Sequence, residues 1–249
     1  TANVVVSHIN VDNATTVTIG DLGTITAKQL EVLAKHEDSL NYEVLSAGAA
    51  GVSGTGSDHR VNIDSDVAVN IAYEPTQTTD VAINQTQITT TETVSIKAEN
   101  KIYKDWLNAT ADDKVGLDDY NALSAGASVA GGTGIVNKTE ITHNTDVNLG
   151  DVIVKANAAA LTTTEQAQGI SLADKNAIAI DAYSYVKSKD YQYIGTGAVI
   201  EAAEIDDDNT VHANTNVNVG VGTVLHAGDV EEAKAVSTHN RIAVGEHEN

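Results

Sequence analysis

Apolar and polar residues alternate with a period of two along most of the chain. Val61, Ile63, Val67, Val69 and Ile71 are interleaved with Asn62, Asp64, Ala68 and Asn70, the pattern of a half-buried β-strand. Short polar stretches of Asn, Asp, Gly and Thr read as corners between strands of about five residues. Three such strands with their corners would make one coil of roughly 20–25 residues.

The pattern recurs. Val4 falls on Val81, Val6 on Ile83, Val11 on Ile88, Val17 on Val94 and Ile19 on Ile96, a constant offset of 77. YEVLSAGAAGVSGTG (42–56) resembles YNALSAGASVAGGTG (120–134), with YQYIGTGAVIEAAEI (191–205) as a looser third copy. Each block is followed by alternating residues ending in Asp66-Val67, Asp146-Val147 or Asn216-Val217. A weaker pair is ISLADKNAIAID (170–181) and VSTHNRIAVGE (236–246). The expected organisation is one segment, 1–249, of about three and a half units near 3–79, 80–150, 151–222 and 223–249, each holding two or three coils. The expected fold is all-β, a right-handed parallel β-helix, because stacking neighbours cover one another's edges. A β-sandwich is the runner-up, but it favours tighter hairpin turns and larger core aromatics.

Three stretches break the alternation: 26–45, 101–123 and 182–193. In the first, Leu30, Leu33, Leu40 and Val44 lie close to helical spacing, so helical or loop side insertions are expected here. These stretches hold eight of the nine aromatics: Tyr42, Tyr103, Trp106, Tyr120, Tyr183, Tyr185, Tyr191 and Tyr193, with only Tyr73 elsewhere. Two readings stay open. The rings glue the insertions to the body with their polar tips wet, or Tyr103, Trp106, Tyr120, Tyr183, Tyr185, Tyr191 and Tyr193 form a patch for a glycan or protein.

Composition narrows the field. The chain has no Cys, Met or Phe and a single Pro, Pro75. Disulfides, thiolate catalysis and Cys-based metal sites are excluded together. The small, branched filler suits regular β layers better than a mixed α/β enzyme core. The absence of Met suggests an internal segment of a longer, secreted or processed chain. Thirty-five acidic residues against fourteen basic ones give a formal charge of −21. Nucleic acid and anionic membrane surfaces would be repelled, and no apolar run is long enough for membrane insertion.

SAGAAG (46–51), SAGASVAGGTG (124–134), TNVNVGVGTVLHAGD (215–229) and the alternating Thr/Asn/Val runs resemble large secreted bacterial adhesins of the filamentous-haemagglutinin type, exported by a two-partner or autotransporter route. Such families carry an export domain with Asn-Pro motifs. There is no Asn-Pro here, so the resemblance implies a shaft segment. It further implies an extracellular or cell-surface location, partners among neighbouring repeats, copies of the same chain, or a host or matrix glycan or protein, and no catalytic residues.

Other chemistry is sparse. The eight histidines lack HExxH or H-x₃₋₅-H spacing. Acidic clusters occur, and the run Asp206, Asp207, Asp208 is the candidate for Ca²⁺, the only cofactor considered; a solvated acidic face is the alternative. Carboxylate pairs could serve polysaccharide cleavage, but only Arg60 and Arg241 supply guanidinium, so no enzyme is expected. The glycine segments lack the residues of a phosphate loop and read as tight corners or close-packed small-residue layers.

Overall fold

The structure, a computed structural model, describes residues 2–73, 85–104, 122–156, 163–170, 177–227 and 236–244. Twelve strands are present among them: β1 (Ala2–Ile19), β2 (Thr24–Ala27), β3 (Leu30–Leu40), β4 (Val44–Ile71), β5 (Thr86–Thr90), β6 (Val94–Lys104), β7 (Ala122–Leu149), β8 (Val152–Ala156), β9 (Ile178–Ser188), β10 (Gln192–Val219), β11 (Val224–Ala227) and β12 (Val236–Val244). One short helix, α1 (Thr163–Ala167), follows β8. The fold is all-β.

Every pairing is parallel. The chain makes four passes, and each pass gives one strand to each of three sheets. The long sheet runs β1-β4-β7-β10, the short sheet β2-β5-β8-β11 and the return sheet β3-β6-β9-β12. One core cluster joins all three, with Val67, Val69 and Ile71 of the long sheet against Ile88 and Val94, Ile96 and Ala98. A second, smaller cluster packs Val61, Ile63 and Ile141 against Ile102 and Val186 of the return sheet.

The repeat is larger than the alternation suggested. A pass uses one strand of 18 to 28 residues in the long sheet, far longer than the expected strands of about five residues. Asn62, Asp64 and Asn70, read as the polar alternates of a strand, sit with Asp66 on the outer side of β4. Polar residues at every second position do not end a strand; they only mark its wet face.

The block at 42–56 aligns as expected, since Val44, Ser46 and Gly56 pair with Ala122, Ser124 and Gly134, whereas the looser copy is shifted by one, with 192–205 in register with 122–135. The offset of 77 does not survive. Val17 and Ile19 pair with Val69 and Ile71, whereas Val94 and Ile96 pair with Leu30 and Val32 in a different sheet. Asp146-Val147 and Asn216-Val217 share columns, but Asp66-Val67 is displaced by two residues, so that Val69 meets Val147.

Among the described residues, the expected insertions are mostly strand. In β3, Leu30, Val32, Ala34, His36, Asp38 and Leu40 point inward at a spacing of two, and Leu33 faces out. His36 and Asp38 interrupt the apolar set while Leu33 adds an outward leucine, and together they mimic helical spacing. Residues 182–188 belong to β9 and 101–104 to β6; 105–121 lie outside the described residues.

At the far end of the long strands the inward parity slips. Val44 and Ser46 are buried, Gly51 and Val52 are both exposed, and burial resumes at Ser53 and Thr55. Here the chain doubles back. A Cβ on Gly48 would lie 2.6 Å from Thr55 Cγ2, whereas seven residues along a straight strand would separate them by about 23 Å. Gly126 meets Thr133 in the same way one pass later. The Ser/Gly/Ala runs are therefore the narrow margin where two limbs touch, and only small residues fit between them.

Candidate functional site

Three groups of side chains carry chemistry. The first is on the outer side of the return sheet. Tyr103, Tyr183 and Tyr185 all project outward and are half-buried. The Tyr103 and Tyr185 rings lie 5.3 Å apart and tilted at 48°, and Lys101 Nζ sits 5.5 Å from the Tyr183 centroid. Lys101 is bonded to Glu99, and Lys35 reaches the same carboxylate at 3.5 Å. This aromatic and charged surface can stack on a planar or sugar ring and offer donors around it. Tyr191 and Tyr193 are not part of it. They lie at the entry to β10, where the Tyr193 ring covers Gly195. Trp106 and Tyr120 lie outside the described residues.

The second group is interior, and the sequence reading missed it. Between the two apolar clusters runs a polar layer. Ser65 Oγ donates to Asn100 Oδ1 at 3.1 Å, and Ser184 Oγ meets His143 Nδ1 at 2.8 Å. Beyond the smaller cluster lies a charged layer. Lys104 and Asp190 form a buried ion pair. Tyr42 OH donates to Asp190 Oδ1 at 2.5 Å, and Asn209 Nδ2 donates to Asp190 Oδ2 at 3.1 Å. His59 stacks on Tyr42 at 3.8 Å and has no hydrogen-bond partner on either ring nitrogen among the described residues. Desolvation, with the Lys104 charge second, pushes His59 down to about 4, and desolvation does the same to His143. Lys104 is lowered by burial against the pull of Asp190. Burial works to raise Asp190, but Lys104 and its hydrogen bonds hold it well below the usual carboxylate range. Strand parity was the available signal: Ile102 and Lys104 share one side of β6, so an inward isoleucine implies an inward lysine.

The third group is the acidic run. Asp206 and Asp208 face outward, and Asp207 faces inward. Asp206 pairs with Lys138 at 3.5 Å, Asp208 accepts from Thr210, and Asp207 accepts from Asn137 Nδ2 at 2.8 Å. Alternation across the sheet separates the three carboxylates, so they do not converge on one ion. Among the described residues no group of three or more His, Asp or Glu is placed to hold a metal ion, and no helix is long and apolar enough to cross a membrane.

Along the outer side of the long sheet, amides stack from pass to pass. Asn148 Nδ2 donates to Asn70 Oδ1 at 2.8 Å and Asn218 Nδ2 to Asn148 Oδ1 at 2.6 Å. A second ladder joins Asp66, Asn144 and Asn214. No family model, curated protein or solved structure matches this chain. The reading of its role rests on these three groups and on the sheets that carry them.

Proposed function

We propose that the chain is a structural and adhesive segment of a large extracellular or cell-surface bacterial protein, wound as a right-handed parallel β-helix. The observation that carries this reading is the register. In all three sheets the strands of successive passes align in parallel, which returns the chain to the same edge after each pass, and parallel crossovers of this kind are right-handed in about 98% of cases. Backbone ladders and stacked amides run across the passes, so stiffness comes from the same bonds that set the order. The return-sheet tyrosines are the displayed surface, suited to a glycan or a protein rather than to an anionic polymer. No catalytic role is assigned.

Substituting Tyr183 and Tyr185 together by Ala tests attachment. Retained circular dichroism with at least tenfold weaker binding to a glycan array or matrix-coated surface supports a contact surface. Unchanged binding, or loss of the fold, removes the displayed-patch part of the reading.

A second reading, a self-assembling filament, is favoured by the two outermost passes. Apolar columns run to both edges, as in Val11, Ile63, Ile141 and Val211 or Val17, Val69, Val147 and Val217. A further copy stacked on either edge would continue them. Concentration-dependent fibres with a repeat of about 4.8 Å along their length would support it, and a monomer at all concentrations would exclude it.

A further inference from the structure

We propose that Lys104 and Asp190 become joined through their side chains as an amide, an intramolecular cross-link made by the folded chain itself. The inference does not rest on the role argued above. Lys104 is the last residue of β6 and pairs with Ser188, the last residue of β9. Lys189 N donates to Lys104 O at 2.7 Å, which fixes the two strand ends against each other. Asp190 follows at once, and its Oδ2 touches Lys104 Nζ with side-chain exposures of 1% for lysine and 0% for aspartate.

Two features favour reaction over a resting ion pair. Burial strips the ammonium of water and moves Lys104 towards the neutral amine, the nucleophilic form. Tyr42 OH donates to Asp190 Oδ1 and Asn209 Nδ2 donates to Oδ2; these bonds favour the carboxylate at rest, and they also set donors where the negative charge of a tetrahedral intermediate would develop.

The step balances within the pair. An ammonium and a carboxylate hold the same protons as an amine and a carboxylic acid, so one proton passes directly from Nζ to Oδ2 of Asp190, which it touches. The Nζ lone pair then attacks Cγ and the C–N bond forms. Oδ1, held by Tyr42, bears the charge of the tetrahedral intermediate. Oδ2 then takes a second proton from Nζ, the Oδ1 charge re-forms the C=O, and the Cγ–Oδ2 bond breaks to release water. Amine and acid give amide and water, with no oxidant or reductant. The fixed contact supplies the effective concentration that the reaction lacks in free solution, and the dry site opposes hydrolysis. With no cysteine in the chain, an amide of this kind is a staple that disulfide chemistry does not offer here.

Intact mass spectrometry of the purified, folded chain, run under denaturing conditions, decides the matter. The expected mass is that of the sequence less one water, with a branched peptide joining Lys104 and Asp190 after digestion. Lys104→Arg and Asp190→Ala should each show the full sequence mass, and Asp190→Asn should lose one ammonia instead of one water. If the unsubstituted chain, folded and held at neutral pH, keeps its full sequence mass, the pair is ionic only and the proposal is overturned. That measurement needs no variant, so a substitution that fails to fold does not leave the question open.

Discussion

Single residues decide how closely the passes can stack. A Cβ on Gly150 would lie 1.8 Å from Ala72 O, whereas one on Gly20 would meet nothing within 4 Å. Gly150→Ala should therefore destabilise the fold by about 2–3 kcal/mol, while Gly20→Ala should cost much less, and thermal melts of the two variants check the contrast. Leu22 is strained in the opposite sense. It is an exposed residue at φ 62°, where the fourth pass has Gly222 at 86°. Leu22→Gly exchanges a left-handed penalty of about 1–2 kcal/mol for a backbone entropy cost of roughly 0.5–1 kcal/mol, so the melting temperature should rise slightly. The buried imidazoles set the pH response. His59 and His143 titrate at about 4 when folded and at 6.5 when unconstrained. As the pH falls, the unfolded chain takes up these protons first. Stability that is complete above about pH 6.5 should drain between there and pH 4, by roughly 3 kcal/mol per histidine. Urea titrations at pH 7 and pH 4.5 measure the loss, and His143→Gln should remove close to half of the pH dependence.

At the level of elements, the outward amides tie neighbouring long strands together. Asn148 donates to Asn70 and accepts from Asn218, so Asn148→Ala should cost about 1–2 kcal/mol, the sum of two modest hydrogen bonds. Hydrogen exchange should then quicken in β4, β7 and β10 together. How much of this was legible depended on which signal the chain printed. Strand alternation survives in the residues, and so does the block that begins at Val44, Ala122 and Gln192, because its small residues are held by the contact between limbs. The length of a pass was hidden, since an Asn on the outside of a long strand looks the same as an Asn at a corner. β3 was hidden because His36 and Asp38 point inward. The interior cluster around Asp190 was hidden for a different reason. Tyr42, Lys104, Asn137 and Asn209 come from the end of the first pass and from the second, third and fourth, and no local pattern records which pass lies on which.

For the whole molecule, breadth exceeds rise. Residues 53–71 of β4 would span about 60 Å, whereas four strands side by side separate the outermost by only about 15 Å. The expectation of about ten thin coils from this length gives way to four wide passes. The chain is a slab, and reach would come only from many such slabs in series. Small-angle scattering of the monomer should return a flattened particle, not an elongated one. The joints between return and long strands vary far more than the strands do. Three residues, 41–43, link β3 to β4, and three, 189–191, link β9 to β10, whereas 105–121 stand between β6 and β7. Since the same sheets accept a short joint or one of seventeen residues, the longer joint, between β6 and β7, is a natural docking port for foreign sequence. An epitope or enzyme spliced there would ride on the margin of the slab, one per subunit, without asking the sheets to change.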